Sequence, residues 1–173
     1  MRNVIDDYKF YKKFDFIPPR LSEIKGIDNI SIGSNCSFGM GCTLYAQDGE
    51  NGTKIDIGNG VSINYNVSIN ADAGGYICIG NDSLIGPGVI MRASNHCFEK
   101  DNILIKNQGH IPGVIIIGSN VWIGAGAILL TNIKIGDNSI VGAGSVVTKD
   151  VPKDVVVAGV PAKVINNRNL IIK

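Results

Sequence analysis

The sequence predicts an all-β protein built as a parallel β-helix, and two observations support this prediction. The first is composition: of 173 residues, 28 are Ile, 15 are Val and 22 are Gly, whereas only 7 are Leu and 18% are charged. β-Branched residues favour strands, and a helical protein would use more Leu, Ala, Glu and Lys. The second is a strict six-residue spacing of aliphatic side chains, which indicates short strands joined by regular turns. The longest uninterrupted run consists of Ile117, Ile123, Leu129, Ile135, Val141 and Val147.

The six-residue period also defines the parts of each coil. Three hexads form one triangular coil, in which the leading aliphatic residue and the residue four positions later point inward. Gly or Asn between them relieves the turn because both tolerate positive φ. Under this rule Cys36 and Cys42 are core residues. About five coils are expected, at residues 32–49, 57–74, 79–96, 117–134 and 135–152.

The two ends of the chain depart from the period. Segment 1–30 is predicted to be a cap, in which Val4, Tyr8 and Tyr11 follow helical spacing, so a short amphipathic helix should cover the open end of the first coil. Segment 161–173 is predicted to be a tail that folds back along the coils.

Within the β-helix, assigned to residues 31–160, the period breaks three times. Short interruptions lie near Asp48–Lys54 and Asn70–Tyr76, and a long excursion spans residues 95–113. Long loops on a rigid scaffold commonly carry function, so the excursion is the first place to look for a site.

Composition and charge exclude several classes of protein. A formal net charge of +1 offers no electrostatic argument for binding nucleic acid. No run of about 18 apolar residues predicts a membrane span, and the charged side chains among residues 1–14 are unlike a signal peptide. Four cysteines in such a chain favour free thiols and a cytoplasmic location.

Histidine is scarce, and its placement is informative. His96 stands where the coil at 79–96 ends and the long excursion begins, which makes it a candidate functional residue. His110 lies late in the excursion and is expected to be structural or to contact an acceptor. Because the chain has only two histidines, a three-histidine zinc site is excluded, and no metal is expected.

Three stretches carry a resemblance to a known family: IGSNVWIGAGAI from Ile117, IGDNSIVGAGSVVTKDVP from Ile135, and VAGVPAKVI from Val157. They resemble the hexapeptide-repeat O-acetyltransferases, which include the galactoside, maltose and serine acetyltransferases and many polysaccharide-modifying enzymes. The resemblance implies a left-handed β-helix, a homotrimer with active sites between neighbouring subunits, and acetyl-CoA as co-substrate.

The resemblance also assigns residues to roles. His96 resembles the family's catalytic histidine, Asn66 its acceptor-positioning asparagine and Asp72 its nearby carboxylate. Trp122 resembles the indole that lines the pantetheine channel. Five further residues occupy positions that contact coenzyme A in relatives, namely Ala125, Ala143, Thr148, Lys149 and Lys163.

The expected reaction is acetyl transfer to a hydroxyl of a sugar or polysaccharide precursor, by direct attack with a histidine as general base. An antibiotic-modifying O-acetyltransferase and an amino-sugar N-acetyltransferase of the same fold remain open. From another class, a non-catalytic scaffold also remains, whereas an ice-binding surface is disfavoured because the four threonines do not align on one face.

Overall fold

The computed structural model describes residues 12–14, 23–47, 54–99 and 102–168. Within these ranges the chain winds into a parallel β-helix whose three sheets enclose one core, which confirms the predicted fold class. The first sheet contains Glu23–Lys25, Thr43–Tyr45, Ser68–Asn70, Ile90–Arg92, Ile128–Leu129 and Val146–Val147. The second sheet contains Ile30–Ile32, Lys54–Ile57, Tyr76–Ile79, Val114–Ile117 and Ile133–Ile135. The third sheet contains Ser37–Phe38, Ser62–Ile63, Leu84–Ile85, Trp122–Ile123, Ile140–Val141, Val155–Ala158 and Lys163–Asn167.

Successive coils stack with like residues in register. Ile117 pairs with Ile135, Ile123 with Val141, and Leu129 with Val147, so each coil places its aliphatic residue directly on that of the next. The second inward position of each hexad follows the same rule and tolerates small polar residues. Buried Ser83, for example, donates its hydroxyl hydrogen to the Gly118 carbonyl at 3.0 Å. The core is therefore a set of columns in which every buried polar group at these positions needs its own acceptor.

The two cysteines predicted to lie in the core differ in burial. Cys42 is 1% exposed, whereas Cys36 is only partly buried against the core. The reason is position: Cys36 precedes Ser37–Phe38, the edge strand of the third sheet, so no coil covers it from below.

Three corners join the sheets, and we name them by their contents. The loop corner links the first sheet to the second, the asparagine corner links the second to the third, and the glycine corner links the third back to the first. At the asparagine corner, side-chain oxygens cap main-chain N–H groups of the neighbouring coil: Ser119 N–H donates to Asp137 Oδ1 at 2.8 Å. The residues with positive φ at this corner are Asn35, Gly60, Asp82, Asn120, Asn138 and Asp154. Those with positive φ at the glycine corner are Gly41, Asn66, Gly88, Gly126 and Gly144.

All three interruptions of the period leave the stack at the loop corner. Each begins with an alanine that is 0% exposed: Ala46, Ala71 and Ala93. Ala71 N–H donates to the Tyr45 carbonyl at 2.8 Å and Ala93 N–H to the Asn70 carbonyl at 3.0 Å, so the points of exit are stacked as well. The long excursion therefore rises directly above the short one.

The predicted cap and tail can each be compared with the described residues only in part. The first sheet already begins at Glu23–Lys25, inside the segment predicted as a cap, because Ile24 pairs with Leu44 of the first full coil. Residues 12–14 are helical and Phe14 packs on the core, whereas Val4, Tyr8 and Tyr11 lie outside the described residues. Of the tail, Lys163–Asn167 turns back and pairs antiparallel with Val155–Ala158.

Two short 3₁₀ helices lie at Ile27–Asn29 and Ile105–Asn107, and the strands Ser94–His96 and His110–Pro112 form a separate antiparallel pair. None of the helices in the described ranges is long and apolar enough to cross a membrane.

Close stacking of the coils requires that Gly124, at the glycine corner, has no side chain, and this requirement can be tested. A Cβ at Gly124 would lie 2.5 Å from the Ala143 main-chain nitrogen, whereas a Cβ at Gly126 would meet nothing within 4 Å. Gly124→Ala should therefore push two coils apart and lower the free energy of unfolding by about 2 kcal/mol or more. Gly126→Ala, the matched control, should cost only about 1 kcal/mol for its positive φ. Urea denaturation at equal protein concentration measures both, and equal costs would contradict in-register stacking at this corner.

Candidate active site

The long excursion begins and ends as an antiparallel hairpin. Ser94–His96 pairs with His110–Pro112, so that His96 lies directly opposite His110. The two imidazole rings are in contact, with centroids 4.1 Å apart and planes inclined by 38°. Both side chains are exposed. We call Ser94–His96 and His110–Pro112 together the histidine hairpin.

The distal part of the excursion is closed by one side chain. Gln108 Nε2 donates to the Ile103 carbonyl at 2.8 Å and to the Glu99 carbonyl at 3.1 Å. Several large apolar side chains of this segment point to solvent, namely Phe98, Ile103, Leu104, Ile105 and Ile111. The described part of the excursion thus has a defined local structure and an apolar outer surface.

Three other predicted site residues share the loop corner with His96. Asp72 lies in the excursion one coil below, and its Oδ1 accepts a hydrogen bond from the Gln47 main-chain N–H at 2.8 Å. Thr148 and Lys149 are exposed and follow the first-sheet strand Val146–Val147, two coils above the one that carries His96. The Asp72 carboxylate is therefore already bound to the coil beneath it, and its proposed catalytic role stays a prediction.

Trp122 stands on a different face, the outer side of the third sheet. It pairs with Leu84 in one neighbouring coil and Ile140 in the other, and it is 52% exposed although its neighbour Ile123 is fully buried. A groove of about 530 Å³ runs along this face, bordered by Trp122, Leu84, Phe38 and Asn64. An exposed indole above an apolar groove is an arrangement suited to a long, flexible ligand.

The remaining predicted residues lie at the glycine corner or beside it. Ala125 borders the groove, and its carbonyl accepts from the Gly144 N–H at 2.8 Å, next to Ala143. Asn66 adopts φ 58°, so the turn itself explains an asparagine there. Lys163 is exposed on the strand that closes the edge of the third sheet.

One chain does not bring all of these residues together. His96 and Asp72 are at the loop corner, whereas Trp122, Ala125 and Ala143 border the third sheet and the glycine corner. The first sheet lies between these two corners, so the histidine hairpin and the groove belong to opposite edges of it. The structure thus places the predicted site residues in two separate groups.

Sequence reasoning missed some of the residues that form the groove. Asn64 borders it beside Leu84, although the acceptor-positioning role was assigned to Asn66 two residues away. The available signal was the alternation itself: outward positions of third-sheet strands face the groove together with the first residues of the glycine corner. Leu84 is 51% exposed, and it could have been found as an outward aliphatic residue paired with Trp122.

Two tyrosines, on the first and second sheets, are hydrogen-bonded to carboxylates. On the first sheet, Tyr45 donates to Glu23, which also pairs with Lys25 at 3.0 Å, and these two contacts lower the pKa of Glu23. On the second sheet, burial and the 2.9 Å hydrogen bond to Asp56 raise the pKa of Tyr76 far above its usual range. Neither phenol is therefore suited to act as a base.

Two of the four thiols are likewise unsuited to be nucleophiles in this scaffold. All four cysteines are free. Burial raises the pKa of both Cys36 and Cys42, and the Cys42 Sγ lies 3.0 Å from the Asn64 carbonyl oxygen. Among the described residues, no group of three or more His, Cys, Asp or Glu side chains is arranged to hold a metal ion.

Comparison with known proteins shows which proteins share this sequence pattern and fold. A family model described as bacterial transferase hexapeptide (six repeats) matches residues 114–149. Galactoside O-acetyltransferase of Escherichia coli (strain K12) is 42% identical over 118 residues, which cover 68% of this chain and 56% of that protein. The chain thus spans a little over half the length of this relative.

Two further relatives cover more of the chain. WbbJ of Escherichia coli (strain K12), provisionally named a lipopolysaccharide biosynthesis O-acetyl transferase, is 31% identical over 153 residues, 84% of this chain and 76% of that protein. A point mutant of AntD, an N-acyltransferase from Bacillus cereus solved with dTDP-4-amino-4,6-dideoxyglucose and coenzyme A, superposes with a TM-score of 0.73 at 26% identity, covering 84% of this chain and 77% of that one.

Stacked triangular coils with an inward six-residue period define a hexapeptide-repeat protein. With WbbJ and galactoside O-acetyltransferase as relatives over most of its length, the chain belongs to the hexapeptide-repeat O-acetyltransferase family.

The raised thiol pKa of Cys42 leads to a labelling prediction. Alkylation requires the thiolate, so a pKa above the ordinary value lowers the reactive fraction at every pH below it. Iodoacetamide at pH 8 should therefore label partly exposed Cys97 in the native protein and leave Cys42 unlabelled, whereas both react in urea. Peptide mass spectrometry measures the two sites. Equal labelling of Cys42 in native and unfolded protein would contradict its burial.

Proposed function

We propose that the protein transfers an acetyl group from acetyl-CoA to a hydroxyl of a sugar or saccharide precursor, with His96 as general base. The observation that carries the proposal is the presence of two features on one scaffold: an exposed histidine hairpin and an apolar groove beneath Trp122. Coenzyme A in the related AntD structure supports a coenzyme A derivative as the occupant of the groove.

The residues of the chain fit the parts of such a ligand. Trp122 and Leu84 offer apolar surface to a pantetheine arm, and Ala125 and Ala143 are small enough to let it approach the glycine corner. Lys149 and Lys163 are exposed cations that would meet phosphates. Bound acetyl-CoA supplies the acetyl group as an activated thioester.

The chemistry assigned to the protein is proton removal. An imidazole can accept a proton near neutral pH, and a positioned general base contributes about 10²–10⁴ in rate. The His96 imidazole would take the acceptor's hydroxyl proton while the oxygen attacks the thioester carbon. The C–S bond then breaks, and the proton passes to the leaving thiolate. No acyl-enzyme is formed, in line with the inert thiols of Cys36 and Cys42.

A homotrimer is part of this proposal. Because the groove and the histidine hairpin lie at opposite edges of the first sheet, a complete site is formed most directly when the hairpin of one subunit meets the groove of the next. The outward apolar side chains of the excursion, such as Phe98 and Leu104, would be covered in the same contact. Free thiols in all four cysteines support a cytoplasmic location.

One observation favours a second acceptor class. The AntD structure holds an amino-sugar nucleotide and belongs to an N-acyltransferase, so an amino sugar is the alternative acceptor for the same base and groove. The two O-acetyltransferase relatives, which match at higher identity, favour the hydroxyl.

Removal of the proposed base tests the mechanism. His96→Ala should lower kcat by about 10²–10⁴-fold, because the hydroxyl then has no positioned proton acceptor. The assay follows free thiol release from acetyl-CoA with a panel of sugars. Unchanged thermal stability, oligomeric mass and acetyl-CoA affinity are the controls. Near-normal turnover by the variant would rule out His96 as the base.

The groove is tested separately with Trp122. Trp122→Ala should weaken acetyl-CoA binding about tenfold, or about 1.4 kcal/mol, because the indole face is lost. Trp122→Phe, which keeps a ring, should lie between the alanine variant and the natural protein. Thermal shift against acetyl-CoA concentration measures all three. If the natural protein is not stabilised at saturating acetyl-CoA, the non-catalytic scaffold becomes the better explanation.

A further inference from the structure

The only two histidines of the 173-residue chain are in contact with each other. They stand 14 positions apart in sequence, and the histidine hairpin places them opposite one another with ring centroids at 4.1 Å. Histidine is otherwise unused by this sequence, so their meeting on one exposed loop calls for a physical reason.

The contact is built into the backbone of the hairpin. Gly113 N–H donates to the Ala93 carbonyl at 2.8 Å on one side of the paired residues, and Cys97 N–H donates to the Gly109 carbonyl at 3.0 Å on the other. Side chains directly opposite each other on antiparallel strands lie on the same face and within contact distance. The root of the hairpin is anchored, since Ser94 is 1% exposed and Ala93 fully buried. The two rings are thus brought together by register.

Contact with a second ring restricts how the His96 imidazole can turn. Both rings are exposed, and among the described residues no hydrogen bond or ion pair reaches either of them. The nearby carboxylate at the same corner, Asp72, accepts from the Gln47 N–H instead. The His110 ring is therefore the described contact that limits the orientation of His96. Proton transfer to a base depends on such orientation.

We propose that His110 is a positioning residue, which stacks on the His96 imidazole and holds it in the orientation that accepts the acceptor's proton. This inference rests on the proposed function, in which His96 is the general base. His110 acts through His96 and takes no proton itself, so an aromatic ring without ionisable nitrogen should serve in its place.

Two substitutions at one position separate stacking from other roles. His110→Ala should lower kcat by about 3–10-fold, which is the range that an aromatic pair contact can supply, while the KM for acetyl-CoA stays the same. His110→Phe should restore kcat to within about twofold of the natural protein. Val114→Ala is the matched control: it shortens an exposed side chain just beyond the hairpin, at the start of the second-sheet strand Val114–Ile117, and kcat should be unchanged.

Each other outcome overturns the proposal. If His110→Phe is as slow as His110→Ala, the imidazole nitrogens of His110 matter and stacking is not its role. If His110→Ala keeps full kcat, the contact has no catalytic consequence. If the KM for acetyl-CoA rises instead of kcat falling, His110 contacts the ligand directly. Thermal unfolding of each variant checks the hairpin, and recovery in the Phe variant cannot come from a misfolded loop.

The double variant distinguishes failure of this inference from failure of the proposed function. In a His96→Ala background, His110→Ala should cause no further loss, because it acts only through His96. An additional loss there, with His96→Ala already slow, overturns the positioning role and leaves the base assignment standing. Full activity of His96→Ala alone overturns the proposed function.

Discussion

In-register stacking of successive coils is the constraint on which the rest of this structure depends. The Ile115 and Ile133 pair, like the Ile77 and Ile115 pair beneath it, requires that each coil return its aliphatic residue to the same column. An inserted residue within a strand would turn every later side chain to the wrong face. Additional residues can therefore leave only at corners, and all three excursions leave at one corner, each from a buried alanine. That shared exit puts Asp72 and the histidine hairpin on one edge of the molecule.

Much of the fold could be predicted because its signal repeats. The six-residue period located the core residues, and the breaks in that period located the excursions. The period could not predict structural features that occur only once in the chain. The burial of Cys36 depends on whether a coil lies beneath it, and the first strand at Glu23–Lys25 is too short to carry a period of its own. Both exceptions occur at the end of the stack, where neighbours are lacking on one side.

The candidate site was less predictable, for a related reason. Family motifs located His96 and Trp122, but the meeting of His96 with His110 depends on the hairpin register, which no repeat encodes. The motif comparison likewise singled out Asn66, whose positive φ suits a turn, whereas Asn64 borders the groove. Corner and outward positions alternate within a few residues in each hexad. The acceptor-positioning role assigned to Asn66 stays a prediction.

The two left-handed corners of the coil differ in a way that bears on the groove. Both need residues that accept positive φ, and the asparagine corner meets this need largely with Asn and Asp, whose side chains bond to the next coil: Asn120 Nδ2 donates to Asn138 Oδ1 at 2.8 Å. Asn or Asp would also suit the glycine corner, yet that corner has Gly88, Gly126 and Gly144. A Cβ at any of these three glycines would meet nothing within 4 Å. Steric crowding within the chain therefore does not explain these glycines. A surface kept free of side chains beside Ala125 and Ala143 permits close approach by another molecule, as the proposed acetyl-CoA path between subunits requires.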